Sequence, residues 1–276
     1  LSTRQRALPG FGLSLGITLA WLSVVVLLPL AALAWKAASA GPQGWLAQLG
    51  SRRVLLALQL SFGGALLAAA IDLLLGLLLA WVLVRYRFPL RRLCDALVDL
   101  PFALPTAVAG IALTALYAPQ GWVGRLLQPL GVQVAYTRLG VLLAMVFVGL
   151  PFVVRTLQPV IESLEREVEE AALTLGASAW QSFRRVLLPL LAPTLLTGFA
   201  LALARAVGEY GSVIYISGNL PMRTEIVPLL IVQKIDAGDD TAPAALLGVV
   251  MLAVSLLVLL AVNGLQRWSR RWSAAP

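Results

Sequence analysis

Three ionisable side chains, Asp72, Arg205 and Glu209, sit inside long apolar stretches of this chain. A charge in hydrocarbon is costly, so such residues are candidates for function by default. Arg205 and Glu209 are four apart. On a helix they share a face and can neutralise one another. Two readings follow: a salt bridge that ties the helix to its neighbours, or an anion path. In the second, Arg205 attracts an anion and Glu209 keeps it from binding too tightly to leave. Ser212 lies just beyond, among the small residues Gly198, Ala202, Ala206 and Gly211, which allow close helix approach. Asp72 has no evident partner. Gln59, Arg85 or an Arg on another helix could serve, in a structural role or at the edge of a pathway.

Much other chemistry is excluded by what is missing. The chain has no histidine and one cysteine, Cys94, so the commonest metal ligand and general base is absent and no internal disulfide can form. No Gly-rich loop ending in Lys-Ser/Thr is present to hold nucleotide phosphates. The chain therefore reads as a non-enzyme without a cofactor of its own. The net charge of +8 comes from Arg residues that flank apolar runs. That pattern fits membrane topology and not a nucleic-acid patch.

One polar stretch, 161–188, breaks the apolar pattern. A helix is expected to start after Pro159, with Glu162, Glu165, Glu167, Glu169 and Glu170 early in it, where carboxylates complement the helix dipole. Gly176 interrupts, and Ser178 is placed to cap a second short amphipathic helix. This second helix carries Trp180 and Phe183 on one side and Arg184 and Arg185 on the other. Pro189 is expected to open the next span. Exposed Trp180 and Phe183 need cover. Lipid headgroups or a protein partner would each provide it.

The elements that must position these residues follow from hydropathy. The chain has 276 residues, 60% apolar and only 12% charged, with a mean hydropathy of +0.89. Lipid is the implied solvent, because soluble domains are about 25% charged. With about 20 residues per span, six spans are expected, at about 11–35, 54–84, 93–117, 138–160, 189–217 and 242–266. The expected architecture is an all-α polytopic membrane protein, a single transmembrane domain over 1–276. The excess of Arg at one set of loop ends places both termini in the cytoplasm. Arg4 and Arg6 precede a run, Phe11 to Trp35, too long for a signal peptide core. Two extracytoplasmic segments are expected, at about 118–137 and 218–241.

A resemblance sharpens this reading. Glu170-Ala171-Ala172, three residues, Gly176, nine residues, then Val186-Leu187-Leu188-Pro189 resembles the coupling-loop signature of ABC importer permeases. That signature reads E-A-A, three, G, nine, I-x-L-P, and only Val186 departs from it. The resemblance implies the type I importer permease fold, with a core at about 54–266 and a cytoplasmic coupling helix within 161–188. It also implies that Trp180 and Phe183 face a cytoplasmic ABC ATPase dimer, which binds ATP and Mg.

The run Asp99-Leu100-Pro101-Phe102-Ala103-Leu104-Pro105-Thr106-Ala107-Val108-Ala109-Gly110 and the pair of motifs Gly208-Glu209-Tyr210-Gly211-Ser212-Val213 and Ser217-Gly218-Asn219-Leu220-Pro221-Met222 are similar to the sulfate/thiosulfate permeases, and more to the first of that family's two permease types. This implies a homologous second permease, a periplasmic sulfate-binding protein and a place in the bacterial inner membrane. Molybdate and tungstate permeases share a similar coupling loop and form the alternative. A secondary transporter working alone would leave the coupling loop unexplained.

Overall fold

The structure, a computed structural model, describes residues 11–238 and 240–273, without the side chains of Arg166 and of 267–273. Arg4, Arg6 and Asp239 lie outside the described residues. Every regular element among the described residues is a helix. In chain order these are α1 (Phe11–Ala38), α2 (Gly41–Leu49), α3 (Arg52–Arg85), α4 (Arg91–Val98), α5 (Leu100–Ala103), α6 (Thr106–Tyr117) and α7 (Trp122–Leu127). They continue with α8 (Arg138–Ser163), α9 (Arg166–Thr174), α10 (Ala179–Val207), α11 (Gly211–Ser217), α12 (Val227–Asp236) and α13 (Ala242–Ser273).

Five helices are long and apolar enough to cross a membrane: α1, α3, α8, α10 and α13. They correspond to the first, second, fourth, fifth and sixth expected spans. The third, about 93–117, is built instead from α4, α5 and α6. Leu104 is extended between α5 and α6, because the ring of Pro105 excludes helical backbone from the residue before it. The fifth expected span, 189–217, also departs from one helix. It starts ten residues earlier, at Ala179, and breaks at Gly208–Tyr210. Pro189 therefore lies inside a helix. Its ring opposes the carbonyl four residues back, and the chain answers with a π-helical turn at Phe183–Leu187. Pro29 has the same turn upstream of it, at Ser23–Leu27. Pro159 likewise falls within α8, so the polar helix starts later than expected, at Arg166.

Two compact units are present. In the first, which among the described residues comprises 11–49 and 231–252, Ala37, Ala245 and Leu246 are buried, with Leu33, Trp45 and Leu49 packed on them. The Trp45 Nε1–H donates to the Ala37 carbonyl at 3.1 Å. Lys36 pairs with Asp240 at 3.2 Å. The Ala242 N–H, and secondarily Lys36, hold the Asp240 carboxyl below the usual carboxylate range.

In the second unit, which among the described residues comprises 50–230 and 253–273, α8 packs against both α3 and α10. Small residues line the seam: Ala65, Ala68, Ala69, Gly76 and Ala80 on α3, with Ala202 and Ala206 on α10, all buried. In lipid there is little hydrophobic drive between helices, so close van der Waals packing through small residues supplies the cohesion. The segment after α11 is pinned to this core. Arg53 donates from Nε to Glu225 at 2.8 Å, and the Glu225 side chain is 1% exposed. The Val227 N–H donates to Ser61 Oγ at 2.8 Å.

Candidate functional site

The break in the fifth span is organised by one carboxylate. Glu209 is buried, and its two oxygens serve two helices. Oε1 accepts from both the Ser212 N–H and the Ser212 hydroxyl, each at 2.8 Å. It thereby satisfies a donor that the start of α11 would leave open. Oε2 pairs with Arg205 at 2.5 Å, at the end of α10. The expected four-residue pairing is thus present, and it joins two helices across a gap where one helix was expected. Arg205, Glu209 and Ser212 form one cluster. Arg205 keeps 29% of its side chain exposed, so a cation buffered by Glu209 remains reachable.

α11 lies against α6. The approach is so close that a Cβ on Gly110 would stand 2.5 Å from the Ser212 carbonyl oxygen. The motif after the third span's Pro105 and the motif around Glu209 therefore meet, far apart in sequence though they are.

Asp72 stands apart from this cluster. It is fully buried on α3, and neither carboxyl oxygen has a hydrogen-bond partner. The carboxyl fills the notch that Gly149 leaves on α8, with Ala202 of α10 alongside. None of the expected partners reaches it. Arg85 instead pairs with Glu169 at 2.7 Å.

That pair belongs to the stretch where a coupling helix was expected. α9 carries Glu170, Ala171 and Ala172, with Glu167 and Glu169 in its first turn. Gly176 then adopts φ +84°, a conformation that L side chains rarely take. Ser178 caps α10 as expected, in a reciprocal capping box with Gln181. Trp180 stacks on Phe183 at 5.7 Å, and Phe183 meets Trp81 of α3 edge-on at 6.2 Å. Arg85 lies over the Trp81 ring at 5.3 Å. So Phe183 is half-buried inside the chain, while Trp180, Leu173 and Leu175 are exposed, at 66%, 51% and 89%. Leu188 is half-buried and Pro189 exposed. The apolar surface on offer is thus carried by α9 and its turn as well as by Trp180.

One cluster escaped sequence reasoning. Arg155 of α8 donates to Asp99 from Nε at 2.7 Å and from Nη2 at 2.6 Å, and to Asp95 at 2.7 Å. Gln158 donates to the same Asp95 oxygen at 2.9 Å. The signal was available: two acids four apart, the second capping the helix that carries the first, and Arg and Gln three apart on another helix, each pair sharing a face. The cluster fastens α4 and α5 to α8. Arg155→Leu removes the guanidinium that the two part-exposed carboxylates share, at a cost of about 1–2 kcal/mol. Faster amide exchange in α4, with α8 unchanged, is the expected result.

These features define a polytopic permease of the type I ABC importer architecture: a helical core, a discontinuous span with a buffered cation, and a helix–turn–helix between the fourth and fifth spans. A family model described as the binding-protein-dependent transport system inner membrane component matches residues 72–271, and the chain belongs to that family. It is 50% identical to the probable sulfate transport system permease protein cysT of Nephroselmis olivacea, over 93% of this chain and 90% of that protein. It is 46% identical to the sulfate transport system permease protein CysT of Escherichia coli, over 97% and 96%. A chain of a solved bacterial alginate ABC transporter shares the fold, with a TM-score of 0.71 at 18% identity, covering 95% of this chain and 94% of that one.

Proposed function

We propose that this chain is a permease subunit of an ATP-driven importer that carries sulfate or thiosulfate across the inner membrane by alternating access. The observation that carries the importer reading is the coupling element. It presents Leu173, Leu175 and Trp180 outward while Phe183, Trp81 and Arg85 anchor its back to the second span. A displaced coupling element would move α3 and α10 together. The sulfate reading is supported by relatives that match nearly the whole chain and carry that name.

In this reading both termini are cytoplasmic. A cytoplasmic ATPase dimer binds ATP and Mg and docks on Glu170, Ala171, Ala172 and Trp180. A homologous second permease completes the pathway, and a periplasmic sulfate-binding protein delivers the anion. ATP binding draws the coupling elements together and opens the spans outward. Hydrolysis resets them. At the break, Glu209 neutralises Arg205, so the anion meets an attractive but weak site. Conduction requires release as well as capture.

The test is uptake of labelled sulfate into proteoliposomes holding the assembled complex. Uptake should require ATP and the binding protein, and should fall with excess thiosulfate but not with molybdate or tungstate. Competition by molybdate alone would favour the other oxyanion class. In the same assay Gly176→Val forces a β-branched residue to φ +84°, a strain of about 1–3 kcal/mol. It is expected to cut uptake and ATPase copurification about tenfold or more. Full copurification with normal uptake would remove the docking assignment.

A further inference from the structure

The chain between α3 and α5 holds a basic and apolar surface that the transport reading does not use. Four Arg residues fall within eight positions, at 85, 87, 91 and 92. Arg85 is committed to Glu169. Arg87 and Arg92 are exposed and Arg91 is half-exposed. Beside them runs an apolar stripe with helical spacing: Leu90, Leu93, Leu97 and Leu100, exposed at 70%, 53%, 51% and 39%. The opposite face of α4 is fixed inward, because Asp95 and Asp99 are held by Arg155. The stripe is therefore directed away from the core by design of the cluster, not by loose packing.

Two further observations point to a ligand. Leu90 has φ +67°, a conformation costly for a branched side chain. It starts α4 with its carbonyl accepting from the Cys94 N–H at 2.9 Å, and it leaves a large apolar side chain exposed. In addition, a cavity of about 540 Å³ opens between Phe88, Leu90, Arg91, Arg92 and Asp95. The one acid lining it already accepts from Arg155 and Gln158. The cavity thus presents Arg92 and Arg91, the latter with its charge partly met by Asp95, beside Phe88 and Leu90.

We infer that α4 and the turn before it form a binding site for an anionic phospholipid. Its phosphate sits on Arg91 and Arg92, with Arg87 adding charge, and its acyl chains cover Leu90, Leu93 and Leu97. Guanidinium groups match phosphate oxygens in bidentate geometry. Clustered Arg next to a span is attracted to anionic headgroups. A soluble anion would leave the leucine stripe bare, and a docked protein would leave the guanidinium groups without a stated counter-charge. A lipid satisfies both. Because Arg155 links α4 to α8, lipid held there steadies the broken third span, whose α6 contacts the helix break at Glu209. The placement on the cytoplasmic leaflet rests on the topology proposed above.

Cys94, exposed on α4 and the chain's only cysteine, gives a native labelling position. An environment-sensitive fluorophore on Cys94 of the assembled transporter, with partner-chain cysteines replaced, is read in nanodiscs. Brominated phosphatidylglycerol is compared with brominated phosphatidylcholine at equal fraction. Quenching by the anionic lipid should be about fivefold the stronger. Arg87→Gln, Arg91→Gln and Arg92→Gln combined should make the two equal. Millimolar inorganic phosphate should not reverse the preference. Equal quenching in the unmodified chain overturns the site, as does a preference that survives the three substitutions or is erased by phosphate. No quenching by either lipid means that protein covers α4, which also overturns it. Labelling of Cys94 by an impermeant maleimide from each side of sealed vesicles reports topology independently. Labelling from the periplasmic side would refute the topology and leave the quenching result to judge the lipid site.

Discussion

Glu209→Leu is expected to cost about 3–5 kcal/mol, the range for removing one partner of a buried ion pair. It should also bring sulfate uptake to background. The substitution strands the Arg205 guanidinium and leaves the Ser212 N–H and hydroxyl without their acceptor. Both helix ends at the break then lose what fixes them. Glu209→Gln is expected to be milder, since the amide oxygen still accepts from Ser212 while the charge on Arg205 goes unmet. The double variant Arg205→Met, Glu209→Gln separates the two roles of the pair. Removing both charges should restore most of the stability. If Arg205 attracts the anion, uptake per folded complex stays low in that variant. The measurements are the thermal unfolding midpoint of the purified complex and uptake in proteoliposomes. A Glu209→Leu protein with unchanged midpoint and uptake would sink the assignment.

The second large effect is expected at Gly110. A Cβ there would meet Ser212 backbone, 2.5 Å from its carbonyl oxygen and 2.8 Å from its Cα. Backbone cannot rotate aside, so Gly110→Val must push α6 away from α11. Overpacking of this kind costs about 1–3 kcal/mol, and the displacement falls on the residue that Glu209 caps. Uptake is expected to fall at least tenfold, while the α3–α8–α10 core stays folded. Gly16→Val serves as the control, because nothing lies within 4 Å of its Cβ position. Equal loss in both variants would show that the effect comes from valine in a span and not from the α6–α11 contact.

Much of the helix–turn–helix at 161–188 was legible in sequence because its signals are local. A capping serine, a glycine at positive φ and acids in a first turn act within a few residues, and Ser178, Gly176 and Glu167 behave as those rules require. The Arg205–Glu209 pair was legible for the same reason, being four residues apart. What the pair holds was not. Glu209 caps a helix whose start depends on a break at Gly208–Tyr210, and hydropathy does not register a break inside an apolar run. Proline positions misled at Pro159 and Pro189. Both were read as helix starts, but a helix in a membrane bundle tolerates proline when a local π adjustment or neighbouring helices meet the freed backbone groups.

The sequence by itself determined the solvent of this protein, its helical class, its family and the caps and turn of the 161–188 stretch. Each of these depends on composition or on short-range spacing. Tertiary structure alone decided which charges distant in sequence meet. Arg155 lies 56 residues from Asp99, and Arg53 lies 172 from Glu225, distances over which no sequence period operates. It also decided that Arg85 serves Glu169 and leaves Asp72 without a partner, and that Phe183 turns inward to Trp81 while Trp180 stays out. The physical reason is the same in each case. In lipid the backbone satisfies itself within each helix, so local rules fix the helices. Their mutual fit depends on close contacts between small residues and on a few charge pairs, and these exist only once the helices are packed.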